Sequence, residues 1–141
     1  MASKTLKKAD AFAEKAHSGQ FDMGGHPYIE HPRYVASMVD GETAKIAALL
    51  HDTVEDTDVT LDDIRAEFGD EIAEIVGLLT HKKGTPYMEY IKAIAQNDTA
   101  KKVKIADLTH NMDTSRLLSF RDGDKKRIEK YQKALAFLAE K

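Results

Sequence analysis

The sequence contains no cysteine and no tryptophan. Without cysteine it can build neither a disulfide framework nor a thiolate zinc site, and it has no thiol nucleophile. Any metal must therefore be held by His, Asp or Glu. Long apolar runs are missing too: no stretch approaches the roughly 18 uninterrupted apolar residues that a membrane span requires, so no membrane partner is expected. Nor is there an excess of positive charge. Twenty-one Lys plus Arg stand against 24 Asp plus Glu, a net charge of -3, which is not the electrostatic footprint of a duplex-binding protein. No nucleic-acid partner is expected. Residues 1–8 carry lysines with no apolar core behind them and read as neither a secretory signal nor a lipidation site, which leaves the cytoplasm as the expected location. What is present suits one globular domain over residues 1–141, with 42% hydrophobic residues available for a core.

Apolar residues recur three and four apart almost throughout, and strictly alternating runs are absent, so the fold class is all-α. Ser3 is a plausible N-cap for a helix through Leu6, Ala9, Phe12, Ala13 and Ala16 to His17, with Gly19 ending it. Residues 18–27 form a loop carrying Gly24, Gly25 and Pro27, followed by a short helix from about Pro32 to Met38 and a turn at Asp40-Gly41. The apolar run from Glu42 to His51-Asp52 suits a buried helix. Thr60 and Asp63 resemble a capping box for a helix stopping near Phe68-Gly69, and Asp70 can cap the next one, whose stripe is Ile72, Ile75, Val76, Leu78 and Leu79. Further helices are predicted from about Pro86 to Ala95, Thr99 to Met112, and Asp122 or Asp124 to Ala139. The architecture is then a bundle of about seven or eight helices.

Four residues stand out as chemistry: His31, the adjacent pair His51-Asp52, and Asp107. Imidazole and carboxylate together suit a first-row divalent ion with open positions. Adjacent helical residues point about 100° apart, so His51 and Asp52 can share an ion only at a helix end. The polar stretch Thr53-Val54-Glu55-Asp56-Thr57-Asp58 offers such an end. If one more helical turn follows, Glu55 and Asp56 lie over the same face as His51 and Asp52. Asp52, Glu55, Asp56 and Asp107 gathered together would repel one another without a cation. A metal-bound water with a carboxylate beside it makes hydrolysis of a phosphate or pyrophosphate the natural reaction class.

Each residue also has a plainer reading. His51-Asp52 can be a helix-terminal cap, and His31 before Pro32 a satisfied turn histidine. Asp107 can be a solvated acid paired with Lys104 or Lys101. Its apolar setting, Val103-Lys104-Ile105-Ala106-Asp107-Leu108, favours partial burial and hence a required partner. His17, His26, His81 and His110 read as structural or exposed.

Three ordered motifs then resemble the HD-domain phosphohydrolases, and among them the RelA/SpoT-type (p)ppGpp hydrolases with their small alarmone hydrolase relatives. Pro27-Tyr28-Ile29-Glu30-His31-Pro32 resembles the first metal-histidine motif, Ala47 to Thr57 the central one, and Val103-Lys104-Ile105-Ala106-Asp107 with His110-Asn111-Met112 the last. The resemblance implies His31, His51, Asp52 and Asp107 as metal ligands, Mn²⁺ as the metal, and Glu55 with Asp56 as the pair activating water. It implies a small nucleotide as partner and removal of the 3′-pyrophosphate of guanosine tetra- or pentaphosphate as the reaction.

Asn111, four residues beyond Asp107, is a candidate for holding the nucleotide, with a helix-terminal amide as its plainer reading. Tyr28 and Lys104 are the other substrate-side candidates, and Lys101, Lys102, Lys82, Lys83 and Arg116 are further possible phosphate partners. Two positions differ from the usual family pattern. The loop Gln20-Phe21-Asp22-Met23-Gly24-Gly25 has no guanidinium, although Phe21 can stack on a base or anchor in the core, and Asp113 stands where the long relatives usually carry a basic residue. Alternatives are therefore an HD hydrolase acting on another nucleotide or pyrophosphorylated metabolite, and a non-catalytic nucleotide sensor.

Overall fold

Ser3 opens the first helix by accepting a hydrogen bond from the Leu6 amide, and that helix, α1, runs Lys4–Ala16 with Ala9 and Ala13 fully buried. The computed structural model describes residues 3–22, 24–112 and 122–140. The helices that follow are α2 (Glu30–Ser37), α3 (Glu42–Leu50), α4 (Thr53–Asp56), α5 (Leu61–Phe68), α6 (Asp70–Leu79), α7 (Tyr87–Ile94), α8 (Asp98–Asn111) and α9 (Asp122–Glu140). Among the described residues this gives eight helices of at least eight residues and one single turn, α4. The only β feature there is an isolated bridge between Phe21 and Pro27, so the all-α prediction holds. No helix among these residues is long and apolar enough to cross a membrane.

Two predicted boundaries move. α2 begins at Glu30 rather than near Pro32, because amides in a helix's first turn have no partner inside the helix and a proline there loses no hydrogen bond. Asp70 is the first residue of α6 instead of its cap. The cap position is Gly69 at φ +95°, which ends α5 and begins α6 in one residue. Only glycine adopts that conformation readily, and it lets the chain reverse without a connecting loop. The Thr60–Asp63 capping box has both of its bonds, at 3.1 and 3.0 Å.

α3 is the central element. Ala44, Ile46, Ala47, Ala48, Leu49 and Leu50 are all buried, and the helix packs against α1, α2, α6 and α8. A helix with so little polar surface must sit inside the bundle. Its C-terminal end consequently delivers the next two residues, His51 and Asp52, into the interior. α2 and α8 pack on α3 and on each other, so three elements distant in sequence converge at that end.

Candidate metal centre

The convergence assembles His31 from α2, His51 and Asp52 from the α3–α4 junction, and Asp107 from α8. One ligand atom from each lies within 4.8 Å of all the others. His31 Nε2 is 2.7 Å from Asp107 Oδ1 and 3.7 Å from Asp52 Oδ2. His51 Nε2 is 3.1 Å from Asp52 Oδ2 and 3.3 Å from Asp107 Oδ1. His31, His51 and Asp107 are buried and Asp52 nearly so. As the helix-end argument requires, α3 stops at Leu50, His51 is its C-cap and Asp52 is the N-cap of α4.

Both imidazoles are oriented from behind. His51 Nδ1 lies 2.5 Å from the Ala48 carbonyl oxygen, which can only accept, so Nδ1 carries a proton and Nε2 faces the cluster. His31 Nδ1 lies 2.7 Å from His110 Nδ1, and its Nε2 likewise faces the cluster. His110 is buried, stacked on His31 and on Tyr34. Partners of this kind fix the tautomer and direction of metal-binding histidines. Two inward Nε2 atoms, which become ligands once they give up a proton, and two carboxylates form a nitrogen–oxygen set that fits a first-row divalent cation.

The carboxylates have their own supports. Lys104 Nζ donates to Asp107 Oδ2 at 2.9 Å and Asn111 Nδ2 donates to Asp107 Oδ1 at 3.0 Å. Tyr28 Oη donates to Asp52 Oδ2 at 2.5 Å and reaches Asp56 Oδ2 at 3.4 Å. Burial alone would push the Asp107 carboxyl up, but the Lys104 ammonium, followed by His51 and His31, holds it well below the usual carboxylate range. Burial is likewise outweighed at Asp52, where His51 brings the carboxyl down to about 2. The Tyr28 phenol is pushed far up by burial and by the Asp52 charge, so it stays a donor.

Glu55 and Asp56 lie on α4 and are exposed. The turn is continuous with Asp52 through the Asp56 amide, which donates to the Asp52 carbonyl at 2.9 Å. Glu55 Oε1 accepts from the His81 amide at 3.2 Å. Both carboxyls are raised, by burial first and then by the neighbouring Asp52 charge. They are thus distinct in character from Asp52 and Asp107, whose charges are compensated by histidine and lysine.

All nine predicted site residues therefore meet in one region. Asn111 bonds the Asp107 carboxylate rather than a helix-end carbonyl, and Lys104, not Lys101, is Asp107's partner. Lys101 instead lies 4.0 Å from Asp98. Sequence reasoning read His110 and His81 only as structural or exposed, and their types and spacing do not signal that His110 lies against His31 Nδ1 or that the His81 amide bonds Glu55. It predicted α7 and α9 as helices but did not place them beside the site. The phenols of Tyr87 and Tyr131 are raised by burial, with Asp107's charge contributing to each, and Tyr87 Oη is buried without a hydrogen-bond partner among the described residues. Phe21 is 65% exposed and is not a core anchor. In the same loop Asp22 Oδ1 accepts from the Gly24 and His26 amides, so this acid organises the loop backbone. Met23, Asp113 and Arg116 lie outside the described residues.

Comparison with known proteins identifies the family. The HD domain family profile matches residues 9–136. The chain belongs to the HD-domain family. This HD domain is 38% identical over 134 residues to the guanosine-3′,5′-bis(diphosphate) 3′-pyrophosphohydrolase of Haemophilus influenzae, covering 84% of the chain and 19% of that protein. It is 36% identical over 141 residues to the bifunctional (p)ppGpp synthase/hydrolase SpoT of Escherichia coli, covering 89% of the chain and 20% of SpoT. The chain thus spans about a fifth of the length of these curated relatives. Among solved structures, a metazoan ortholog of SpoT described as hydrolysing ppGpp superimposes with a TM-score of 0.80 at 23% identity, over 98% of this chain and 86% of that one. That likeness shows the fold. The lmo0812 protein of Listeria monocytogenes matches with a TM-score of 0.59 at 30% identity, over 81% of this chain and 83% of that one.

Proposed function

We propose that this HD domain is a metal-dependent phosphohydrolase that removes the 3′-pyrophosphate of guanosine tetra- or pentaphosphate, with His31, His51, Asp52 and Asp107 as ligands of Mn²⁺. The observation that carries the reading is the pairing of a buried two-histidine, two-carboxylate cluster with two further acids, Glu55 and Asp56, on the adjoining turn. The substrate reading is supported by relatives such as the Haemophilus influenzae pyrophosphohydrolase, which matches 84% of this chain.

A bound divalent ion would supply charge stabilisation at the phosphoryl group and a water of lowered pKa. The chain's own residues do the rest. Tyr28 keeps Asp52 in place, Lys104 and Asn111 keep Asp107, and His110 and the Ala48 carbonyl aim the two imidazoles. Glu55 and Asp56 take the proton from the attacking water and orient its lone pair. The water oxygen bonds to the phosphorus next to the sugar, the bond from that phosphorus to the 3′ oxygen breaks, and the 3′ oxygen is protonated as pyrophosphate leaves. Both carboxyls are raised above their ordinary values, the direction that makes a carboxylate a stronger base.

The absence of a guanidinium in the loop Gln20–Gly25 favours a second reading, the same reaction class on a different nucleotide or pyrophosphorylated metabolite. A purely sensing role has no use for Glu55 and Asp56 beside a metal. The test is a panel of ppGpp, pppGpp and their adenosine analogues offered to Mn²⁺-loaded protein, with pyrophosphate and orthophosphate measured separately. Pyrophosphate release from the guanosine substrates is expected. Release of orthophosphate alone would sink the assignment, and a preference for the adenosine compounds would select the second reading.

A further inference from the structure

The single turn that carries Glu55 and Asp56 is fastened by a residue pair outside the metal cluster. Gln20 Nε2 donates to the Asp56 carbonyl oxygen at 2.9 Å. A carbonyl only accepts, so this bond sets the orientation of the Gln20 amide and turns its Oε1 toward His17 Nδ1, 2.8 Å away. Oε1 must in turn accept, which places the His17 proton on Nδ1. His17 is 2% exposed, its ring lies against that of Tyr28 with centroids 4.8 Å apart, and its Nε2 is buried with no partner among the described residues. The histidine's one hydrogen bond through its ring is thus the one that orients Gln20.

Gln20 also joins three parts of the chain through its backbone and amide. Its N–H donates to the His17 carbonyl at 3.0 Å, its carbonyl accepts from the Tyr28 amide at 2.9 Å, and its side chain holds α4. α4 needs that hold. A four-residue helix is far below the roughly 12–15 residues at which a helix becomes even marginally stable in water, and its last carbonyls have no acceptor role inside the helix.

We propose that His17 and Gln20 are a positioning pair for the reaction: His17 orients the Gln20 amide, and Gln20 clamps the Asp56 carbonyl so that the Glu55 and Asp56 carboxyls stay in register with the metal ligands. The proposal rests on the reading that Glu55 and Asp56 handle the attacking water. Neither His17 nor Gln20 belongs to the ligand cluster, so the clamp acts on the geometry of the acids without changing what binds the ion.

The test uses the full chain, Mn²⁺ and ppGpp. In His17→Asn the amide nitrogen replaces Nδ1 and the bond to Gln20 survives, whereas in His17→Gln a polar group replaces Nε2 and that bond is lost. Gln20→Ala, and Gln20→Glu, which keeps the acceptor but loses the donor, both release Asp56. His17→Gln and both Gln20 variants are expected to lower kcat by about tenfold or more, with KM and Mn²⁺ affinity within about twofold, while His17→Asn stays within about threefold of wild type. Hydrogen exchange at the Asp56 and Thr57 amides is expected to quicken by about tenfold in the three defective variants and not in His17→Asn. The proposal is overturned if His17→Asn is as impaired as His17→Gln, if Gln20→Ala keeps wild-type kcat and exchange, or if the loss falls on Mn²⁺ affinity. If the His17 variants do not fold, the two Gln20 variants decide alone. Wild-type protein that hydrolyses nothing, combined with the expected exchange pattern, sustains the clamp and removes the hydrolase reading instead.

Discussion

The Nδ1 atoms of His31 and His110 lie 2.7 Å apart, a separation that requires one proton between the two nitrogens. With that proton on His31, its Nε2 would be the ligand atom toward an ion held with Asp107 and His51, and His110 is the acceptor, stacked on Tyr34 with centroids 4.1 Å apart. His110→Leu is expected to weaken Mn²⁺ binding about 10–100-fold, the usual effect of removing such a partner. A metal titration of the variant checks it, and unchanged affinity would assign His110 to packing alone.

Ligands and acids separate by what they lose. His51→Ala should abolish metal binding and hydrolysis together. Glu55→Gln and Asp56→Asn should retain the metal while the rate falls by about 10²–10⁴-fold. Metal content and steady-state kinetics on the same preparations distinguish the two classes. A Glu55 variant that binds Mn²⁺ and still works at the wild-type rate would refute the role of the acid pair.

The pH profile follows from the raised carboxyls. Burial, then the charges of Asp52 and Asp56, lift Glu55 above its ordinary 4.5. A base works ionised, so activity is present above the folded-state pKa and is lost as pH falls through it. The upward shift therefore moves the acidic limb of kcat/KM to higher pH than an unperturbed glutamate would give. The same shift opposes stability at neutral pH, since ionised Glu55 is disfavoured in the fold. Glu55→Gln is expected to melt at a higher temperature than wild type even as activity falls, and differential scanning calorimetry at pH 7 reads the sign.

Lys104 gives a prediction about metal removal. Its ammonium sits 2.9 Å from Asp107 Oδ2 with both side chains almost buried. Lys104→Met leaves that buried carboxylate without its largest compensating charge, and breaking a buried ion pair typically costs about 3–5 kcal/mol. Metal-free variant protein should be destabilised by that order, and saturating Mn²⁺ should restore part of the loss because the ion binds only the folded state. If stability is untouched and only KM for the nucleotide rises, Lys104 belongs to the substrate instead.

Much of the fold was legible because it depends on local chemistry. Ser3, the Thr60–Asp63 box and the glycine at 69 mark helix ends through hydrogen bonds and backbone freedom that lie within a few residues. The unbroken apolar run of α3 announced a buried helix, and a buried helix must end somewhere inside, which is why His51-Asp52 pointed to a site. The placements that failed were of the same short range: Asp70 looks like a cap, but Gly69 can turn the chain and so takes that position.

The supports of the site were not legible, because nothing local links them. His110 is 79 residues from the histidine it orients, and Gln20 is 36 residues from the carbonyl it holds. A buried histidine and an exposed one have the same letter, and only packing tells that His17 is enclosed while His26 is exposed. The sequence by itself determined the helical class and most helix ends through residue type and spacing, and it singled out His31, His51, Asp52 and Asp107 as candidates for a metal site whose ligand roles the family resemblance implies. Only the tertiary structure decided that α2, α3 and α8 bring those residues within one ion's reach, which nitrogen of each histidine faces inward, and which side chains hold the acid pair in place. Those are matters of distance between chain segments, and they are settled when the segments pack.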